Sequence, residues 1–329
     1  MQSAVCLRRA CRVKPLPTVL DLLEECRWRE VIAPGASVVV KPNLCTERPE
    51  QIHTANTSLG VLRAVCEVLR ERTARITVVE SDGARYSAET AFENNGVYRL
   101  GQELGIGVLN LSRDELIEVP DERLRGFGFA RSWLEADAFV TLPVLKTHAT
   151  TLFTGALKNQ WGCVPRYDRI LLHKYLHDLI GEINKLRPVT LALMDGLVGM
   201  QGRGPINGYP IDLNVLLASR DPVALDATAM RLIGLEPASC RHALHAVRLG
   251  LGCLEEREIV VDGPFAELRT TAEPAVEDWA IKLMNRVAAS PLLTKHLLLN
   301  DGVFYPVRRL VTAARRWTKR GRRPVAASR

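Results

Sequence analysis

Eight cysteines occur among the 329 residues, but no two are spaced Cys-x-x-Cys, so the close pairing that clamps zinc or an iron–sulfur cluster is absent. No stretch approaches the run of about 18 apolar residues that spans a bilayer. Arg8, Arg9, Arg12 and Lys14 interrupt the start of the chain where a secretory signal would carry its apolar core. Gly-x-x-x-x-Gly-Lys-Ser/Thr does not occur, nor does Gly-x-Gly-x-x-Gly after a strand, which removes support for the common nucleotide loops. Without a Gly-x-Ser-x-Gly elbow, covalent hydrolysis also ranks low. Acids are missing from one region only: none follows Asp301.

What remains is globular in composition, with 47% hydrophobic and 25% charged residues, enough for one large domain or two modest ones. The net charge of +7 is concentrated at one end. Nine cations follow Asp301, from Arg308 to Arg329, whereas residues 1–304 hold 35 bases against 37 acids. A near-neutral body therefore carries a basic tail. The cysteines sit mostly in apolar surroundings, Cys6 after Ala4-Val5 and Cys66 within Leu62–Leu69, so buried, reduced thiols and a cytoplasmic setting are expected.

Short valine-rich runs alternate with helical patterns, the signature of an α/β protein. Strands are predicted at 37–41, 75–79, 106–109, 137–141, 190–194, 213–217 and 258–261, and helices near 58–72, 171–186, 222–234 and 239–250. Asp221 before Pro222 reads as a helix cap. The expected fold is a largely parallel or mixed sheet with helices on both faces, occupying residues 1–270, with a helical extension over 271–329.

Polar residues gather just past four predicted strands, where open α/β sheets bind ligands. Lys41-Pro42-Asn43, Glu80-Ser81-Asp82-Gly83, Lys146-Thr147-His148 and Asp195-Gly196 form these clusters. Lys41, Lys146 and Lys158, converging from loops, would hold a carboxylate or phosphate, with Asn43 and Asn159 orienting it. His148 or His173, paired with Asp82 or Asp195, would move a proton near neutral pH. His173 and His177 lie one helical turn apart and would need His148 or Asp195 to complete a divalent metal site, which spacing does not fix. No metal ligands are therefore assigned, and the cofactor is left open. Gly196–Gly208, with five glycines counting Gly202 and Gly204, reads as a lid or ligand-approach loop or as an ordinary surface connection.

Val39–Asn43, Glu80–Gly83, Lys146–His148, Thr154–Gly162, Asp195-Gly196 and Ser219–Asp226, in this order over roughly residues 35–265, resemble the DUF362 family. The family is an uncharacterised domain, so the resemblance implies no activity. Many members carry an adjoining ferredoxin-like iron–sulfur segment, which this chain lacks. Gly155-x-x-Lys158-x-x-x-Gly162 is also similar to glycine–lysine segments of lactate-racemase-like proteins.

Val307, Leu310, Val311, Ala314 and Trp317 share a helical face opposite Arg308, Arg309, Arg315, Arg316, Lys319 and Arg320. Over residues 306–323 this amphipathic tail either packs on the body or contacts an anionic membrane surface. Nucleic acid is disfavoured because the body is slightly acidic and no binding motif accompanies the tail. The leading expectation is a cytoplasmic enzyme of isomerase or lyase type acting on a small anionic metabolite. A non-catalytic anion-binding protein and a redox protein with an iron–sulfur partner are the alternatives.

Overall fold

The computed structural model describes residues 2–84, 86–275 and 279–320, except for the side chains of Arg308 and residues 312–320. The chain forms two compact units, Met1–Arg169 with Tyr175–Val276, and Ile170–Lys174 with Glu277–Arg329.

The first unit is built on a ten-stranded, mostly parallel sheet. Its strands are β1 (Ser3–Arg9), β2 (Val38–Pro42), β3 (Ile76–Glu80), β4 (Gly107–Asn110), β5 (Ala138–Leu142), β6 (Val144–His148), β7 (Leu152–Thr154), β8 (Leu191–Gln201), β9 (Tyr209–Ser219) and β10 (Ile259–Asp262). The order is β10-β1-β9-β8-β5-β2-β3-β4, with β6 on the far half of β8 and β7 beside β6. β2 and β5 are buried along their whole length, which is why they read as continuous apolar runs instead of alternating. Their parallel register places Lys41 beside Thr141 and Pro42 beside Leu142, while β3 ends at Glu80 on the other flank of β2. The candidate residues of β2 and β3 thus emerge at one edge of the sheet.

One face of the sheet, carrying Val38, Val40, Ile76, Val78 and Val140, packs against Leu22 of helix Leu16–Glu25 and Val65 of helix Leu59–Arg70. Alternate residues such as Val39 and Phe139 are buried on the opposite side. Helix Pro222–Leu232, buried at ten of its eleven residues, packs on β1 and β9. Five of the eight free thiols are buried, and burial pushes Cys66 and Cys163 up to about 12, so these groups stay protonated.

All seven predicted strands form, and three others of this sheet lay outside the apolar-run criterion. β1 buries Val5, Cys6 and Leu7 but ends in Arg8-Arg9, which broke its run. Residues 144–148, expected as a loop beyond a strand end, are instead β6. Pro143 ends β5, its carbonyl accepts from Asp195 N at 2.8 Å, and the chain crosses to pair with β8, Val144 opposite Asp195 and Lys146 opposite Met200. Asp195-Gly196 is likewise inside a strand: β8 runs eleven residues through a bulge at Gly196–Val198. The glycine-rich stretch is therefore half strand and half hairpin turn, since β8 continues to Gln201 and β9 begins at Tyr209.

The second unit contains helices Trp279–Ala288 and Asp301–Arg320. The predicted basic tail falls on the latter helix, with residues 321–323 outside the described set. Among the described residues no helix is long and apolar enough to cross a membrane.

Asp221 caps helix Pro222–Leu232 as its sequence predicts, accepting from Val223 N at 2.8 Å and Ala224 N at 2.9 Å. Its carboxylate also accepts from Ser3 Oγ at 2.6 Å and Cys253 N at 3.2 Å, tying both ends of the unit to this helix. Asp221→Ala is expected to lower unfolding free energy by about 2 kcal/mol or more, the sum of a lost cap and an orphaned amide. Urea denaturation checks this. A loss within about 0.5 kcal/mol of zero, the range of ordinary surface changes, would contradict it.

Candidate functional site

At the ends of β2 and β3 two charges are taken out of water together. Lys41 Nζ donates to Glu80 Oε2 at 2.7 Å, and both side chains are almost wholly buried, at 1% and 3% exposure. Lys41 Nζ also donates to Pro42 O at 3.1 Å, while Glu80 accepts from Leu44 N at 3.2 Å and Ser81 N at 3.0 Å. Such hydrogen bonds are what make a buried ion pair tolerable. The segment Gln160–Cys163 lies directly over the pair. A Cβ at position 162 would come within 2.8 Å of Lys41 Nζ and 2.7 Å of Glu80 Oε1, so only glycine lets the chain approach.

Lys146, on β6, is fully buried, and burial holds its ammonium below the ordinary lysine range. It donates to Ala55 O at 2.7 Å and Pro205 O at 3.4 Å and lies 3.4 Å from Cys45 Sγ. Its partners are thus neutral, apart from the titratable thiol. Pro205 belongs to the turn between β8 and β9, so the glycine-rich hairpin approaches this lysine. Asn43 donates to the same Ala55 carbonyl at 3.1 Å.

Lys158 sits on the short helix Ala156–Asn159, which is held from several directions. Asp226 accepts from Ala156 N at 2.6 Å and Leu157 N at 3.1 Å, and a Cβ on residue 155 would collide with that carboxylate, requiring Gly155. Burial, opposed by these amides, pushes Asp226 up to about 7. Asn159 donates to Lys41 O at 3.1 Å and Thr141 Oγ1 at 2.8 Å, and Asn184 donates to Leu157 O at 2.9 Å. Lys158 itself is half-buried, and no described residue offers its ammonium a hydrogen bond or an ion pair. Burial, together with the charges of Lys146, Arg169 and Lys41, pushes it down to about 8, against an opposing effect of Cys45.

The cation cluster is completed by Arg169, 7% exposed. Its guanidinium donates to Ser81 Oγ at 2.7 Å, the carbonyls of Asp82 and Val164 at 2.9 Å each, and Tyr86 Oη at 2.9 Å. Lys158 also acts on His177 and His242, whose stacked rings lie 6.1 Å apart. Burial, aided by neighbouring charges, holds these rings at about 4 and about 3, so both are neutral in ordinary buffers.

The structure brings Lys41, Lys146 and Lys158 together. Asn43 and Asn159 tie the surrounding backbone, and their amides are engaged there. Asp82 accepts from Ala88 N at 2.9 Å and Asn110 Nδ2 at 3.1 Å. Asp195 accepts from Ser58 N at 2.8 Å and Leu197 N at 3.0 Å, and burial raises its pKa despite these donors. On β6, His148 Nδ1 accepts from Thr150 N at 3.0 Å and Thr151 N at 3.2 Å, which leaves the ring hydrogen on Nε2 in the neutral form. His173 belongs to the segment 170–174 of the second unit. Among the described residues no group of three His, Cys, Asp or Glu is gathered for a metal.

Glu80, Cys45, Arg169 and His242 were not singled out as candidate site residues. Glu80 stands in the same motif as Asp82, and the sequence does not separate the two carboxylates. Arg169 and His242 carry no local signature and reach the cluster only through the fold.

Removing the counter-charge tests the electrostatics. Glu80→Ala is expected to lower stability by about 3–5 kcal/mol, since Lys41 would stay buried beside other cations without its partner. The double replacement Lys41→Met with Glu80→Leu should lose less. Chemical denaturation of both variants checks this, and equal losses would contradict it.

The chain matches the family described as a domain of unknown function, DUF362, over residues 38–231. A thylakoid-associated protein of Synechocystis is 29% identical over 248 residues, covering 70% of this chain and 76% of that protein. Among solved structures, the lactate racemase apoprotein from Thermoanaerobacterium thermosaccharolyticum is 13% identical, with a TM-score of 0.40 over 67% of this chain and 54% of the other. A protein from Thermotoga maritima is 12% identical, with a TM-score of 0.36 over 71% and 58%. The chain thus spans between half and three-fifths of the length of these two structures. The motifs that build the cation cluster, from Lys41 and Glu80 through Lys146 to Lys158 and Asp226, all fall inside the matched span, and the chain belongs to the DUF362 family.

Proposed function

We propose that the cluster around Lys158 binds a small anionic metabolite, a carboxylate or phosphate, and that the protein is an enzyme moving a proton beside that anionic group, of isomerase or lyase type. The observation that carries this reading is the Lys158 ammonium, half-buried among Lys146, Lys41 and Arg169 with no partner of its own among the described residues. A bound anion supplies the missing counter-charge. At a pKa of about 8 the same amine is partly neutral near physiological pH and can accept a proton as well as attract a charge. His148, with Nδ1 held by two amides, would donate from Nε2. The description of the Synechocystis relative as thylakoid-associated supports a place of action beside a membrane.

Calorimetric titration with sulfate and oxalate, whose charges are constant between about pH 6 and 10, tests the binding half. Lys158 is cationic below its pKa, so affinity should be level below about pH 8 and fall by up to about tenfold per unit above it. Lys158→Met should bind at least about tenfold more weakly and lose that pH dependence. Wild-type affinity in Lys158→Met would contradict the assignment.

The chemical half is tested by incubating a panel of small 2-substituted carboxylic acids in deuterated buffer and following loss of the C2 proton signal by NMR. Wild-type protein should catalyse exchange, with Lys158→Met and His148→Ala each slower by about a hundredfold or more. His173→Ala, run in parallel, assigns or removes the second histidine. Saturable binding without exchange of any acid would favour a non-catalytic binding protein.

A further inference from the structure

Charge and apolar exposure coincide in the second unit. Residues 279–329 hold twelve Lys and Arg against one acid, Asp301, leaving 32 bases against 36 acids in residues 1–278. Of the seventeen exposed large apolar side chains among the described residues, eight fall between Trp279 and Leu310. Leu310 is 71% exposed and Leu292 67%, with Trp279, Leu283 and Val307 between 45% and 48%. Helices Trp279–Ala288 and Asp301–Arg320 both pack on the turn Thr294–Leu298, and Thr294 Oγ1 donates to Val287 O at 3.0 Å, so these side chains belong to one small body. Lys282, Arg286, Lys295 and Arg309 are exposed on the same body.

Exposed apolar groups interspersed with cations are poorly matched to water alone and well matched to a bilayer surface, where apolar groups enter the acyl boundary and cations meet lipid phosphates. We propose that the C-terminal unit is a peripheral membrane-docking module that recognises anionic phospholipid headgroups, with Trp279, Leu283, Leu292, Val307 and Leu310 as its inserting side chains. This extends the membrane-side placement given above to a surface and a lipid chemistry, and it stands independently of the anion site. Two signals act together: the cations attract the protein to an anionic leaflet, and the apolar side chains retain it there.

The test is cosedimentation of the full chain with vesicles of phosphatidylcholine alone or with about 30% phosphatidylglycerol, in about 50 and 500 mM NaCl. Binding should be at least about tenfold tighter to the anionic vesicles at low salt and weaken at high salt. In a Trp317→Phe chain, brominated acyl chains should quench tryptophan emission, and a further Trp279→Phe replacement should remove that quenching while the emission of Trp28, Trp133 and Trp161 remains, which reads insertion directly. Leu283→Glu with Leu310→Glu should abolish that quenching and weaken vesicle binding at least about tenfold, while sulfate affinity stays at the wild-type value. Sulfate binding thus reports that the first unit is folded, unchanged far-ultraviolet circular dichroism that the helices of the second persist, and failure of the sulfate site in wild-type protein would leave the vesicle result standing. Equal binding to neutral and anionic vesicles, no vesicle binding, anionic binding without quenching, or preferential binding to a duplex oligonucleotide would each overturn the proposal.

Discussion

Burying like charges near one another is the constraint around which this protein is organised. Two unit charges about 4 Å apart interact by about 4 kcal/mol at an effective dielectric of 20, so a cluster of cations persists only when the fold supplies carbonyls and anions to hold it. Here Lys41 has Glu80, Lys146 has the carbonyls of Ala55 and Pro205, and Arg169 has Asp82 O, Val164 O and two hydroxyls. Lys158 has none of these. The asymmetry has a physical consequence: three cations are compensated by the chain, and the fourth is left for something that the chain does not contain.

Much of the surrounding machinery exists to hold that arrangement in place. Asp226 fixes the start of the helix that carries Lys158, Asn159 ties its end to the Lys41 carbonyl, and Asn184 braces it from behind. Gly155 and Gly162 let the segment approach a carboxylate at one end and an ion pair at the other. The spacing Gly-x-x-Lys-x-x-x-Gly therefore has a steric meaning: both glycines are places where any side chain would strike a charged group.

The sheet was legible because its central strands are buried on both faces and read as unbroken apolar runs, as in Val38–Val40 and Ile76–Val79. β6 was not, because Lys146, Thr147 and His148 look like loop residues when nothing reveals that their strand pairs with the far half of β8. The three lysines were legible as candidates from the Pro, Thr and Asn that follow them in their motifs. The roles of their companions were harder to read. Asn43, Asp82, Asp195 and Asn159 sit in the same motifs, yet each engages backbone or a neighbouring amide or hydroxyl, and sequence alone does not separate a polar group that faces a ligand from one that braces a turn. Arg169, Cys45 and His242 join the cluster through tertiary contacts between segments far apart in the chain, which no local pattern records.

The second unit follows a different logic, in which charge of one sign and exposed apolar side chains occur together. The body is slightly acidic, and the site's own cations are enclosed within it, so the strong positive field of the chain is a property of its C-terminal end. For the body, the central claim is that Lys158 is an uncompensated ammonium awaiting an anion. An NMR titration of isotope-labelled lysine side chains, with the Lys158 signal assigned by its loss in Lys158→Arg, measures this directly. The account predicts a midpoint near pH 8 that moves upward when sulfate is added. A midpoint in the ordinary lysine range of about 10.4, indifferent to sulfate, would contradict it.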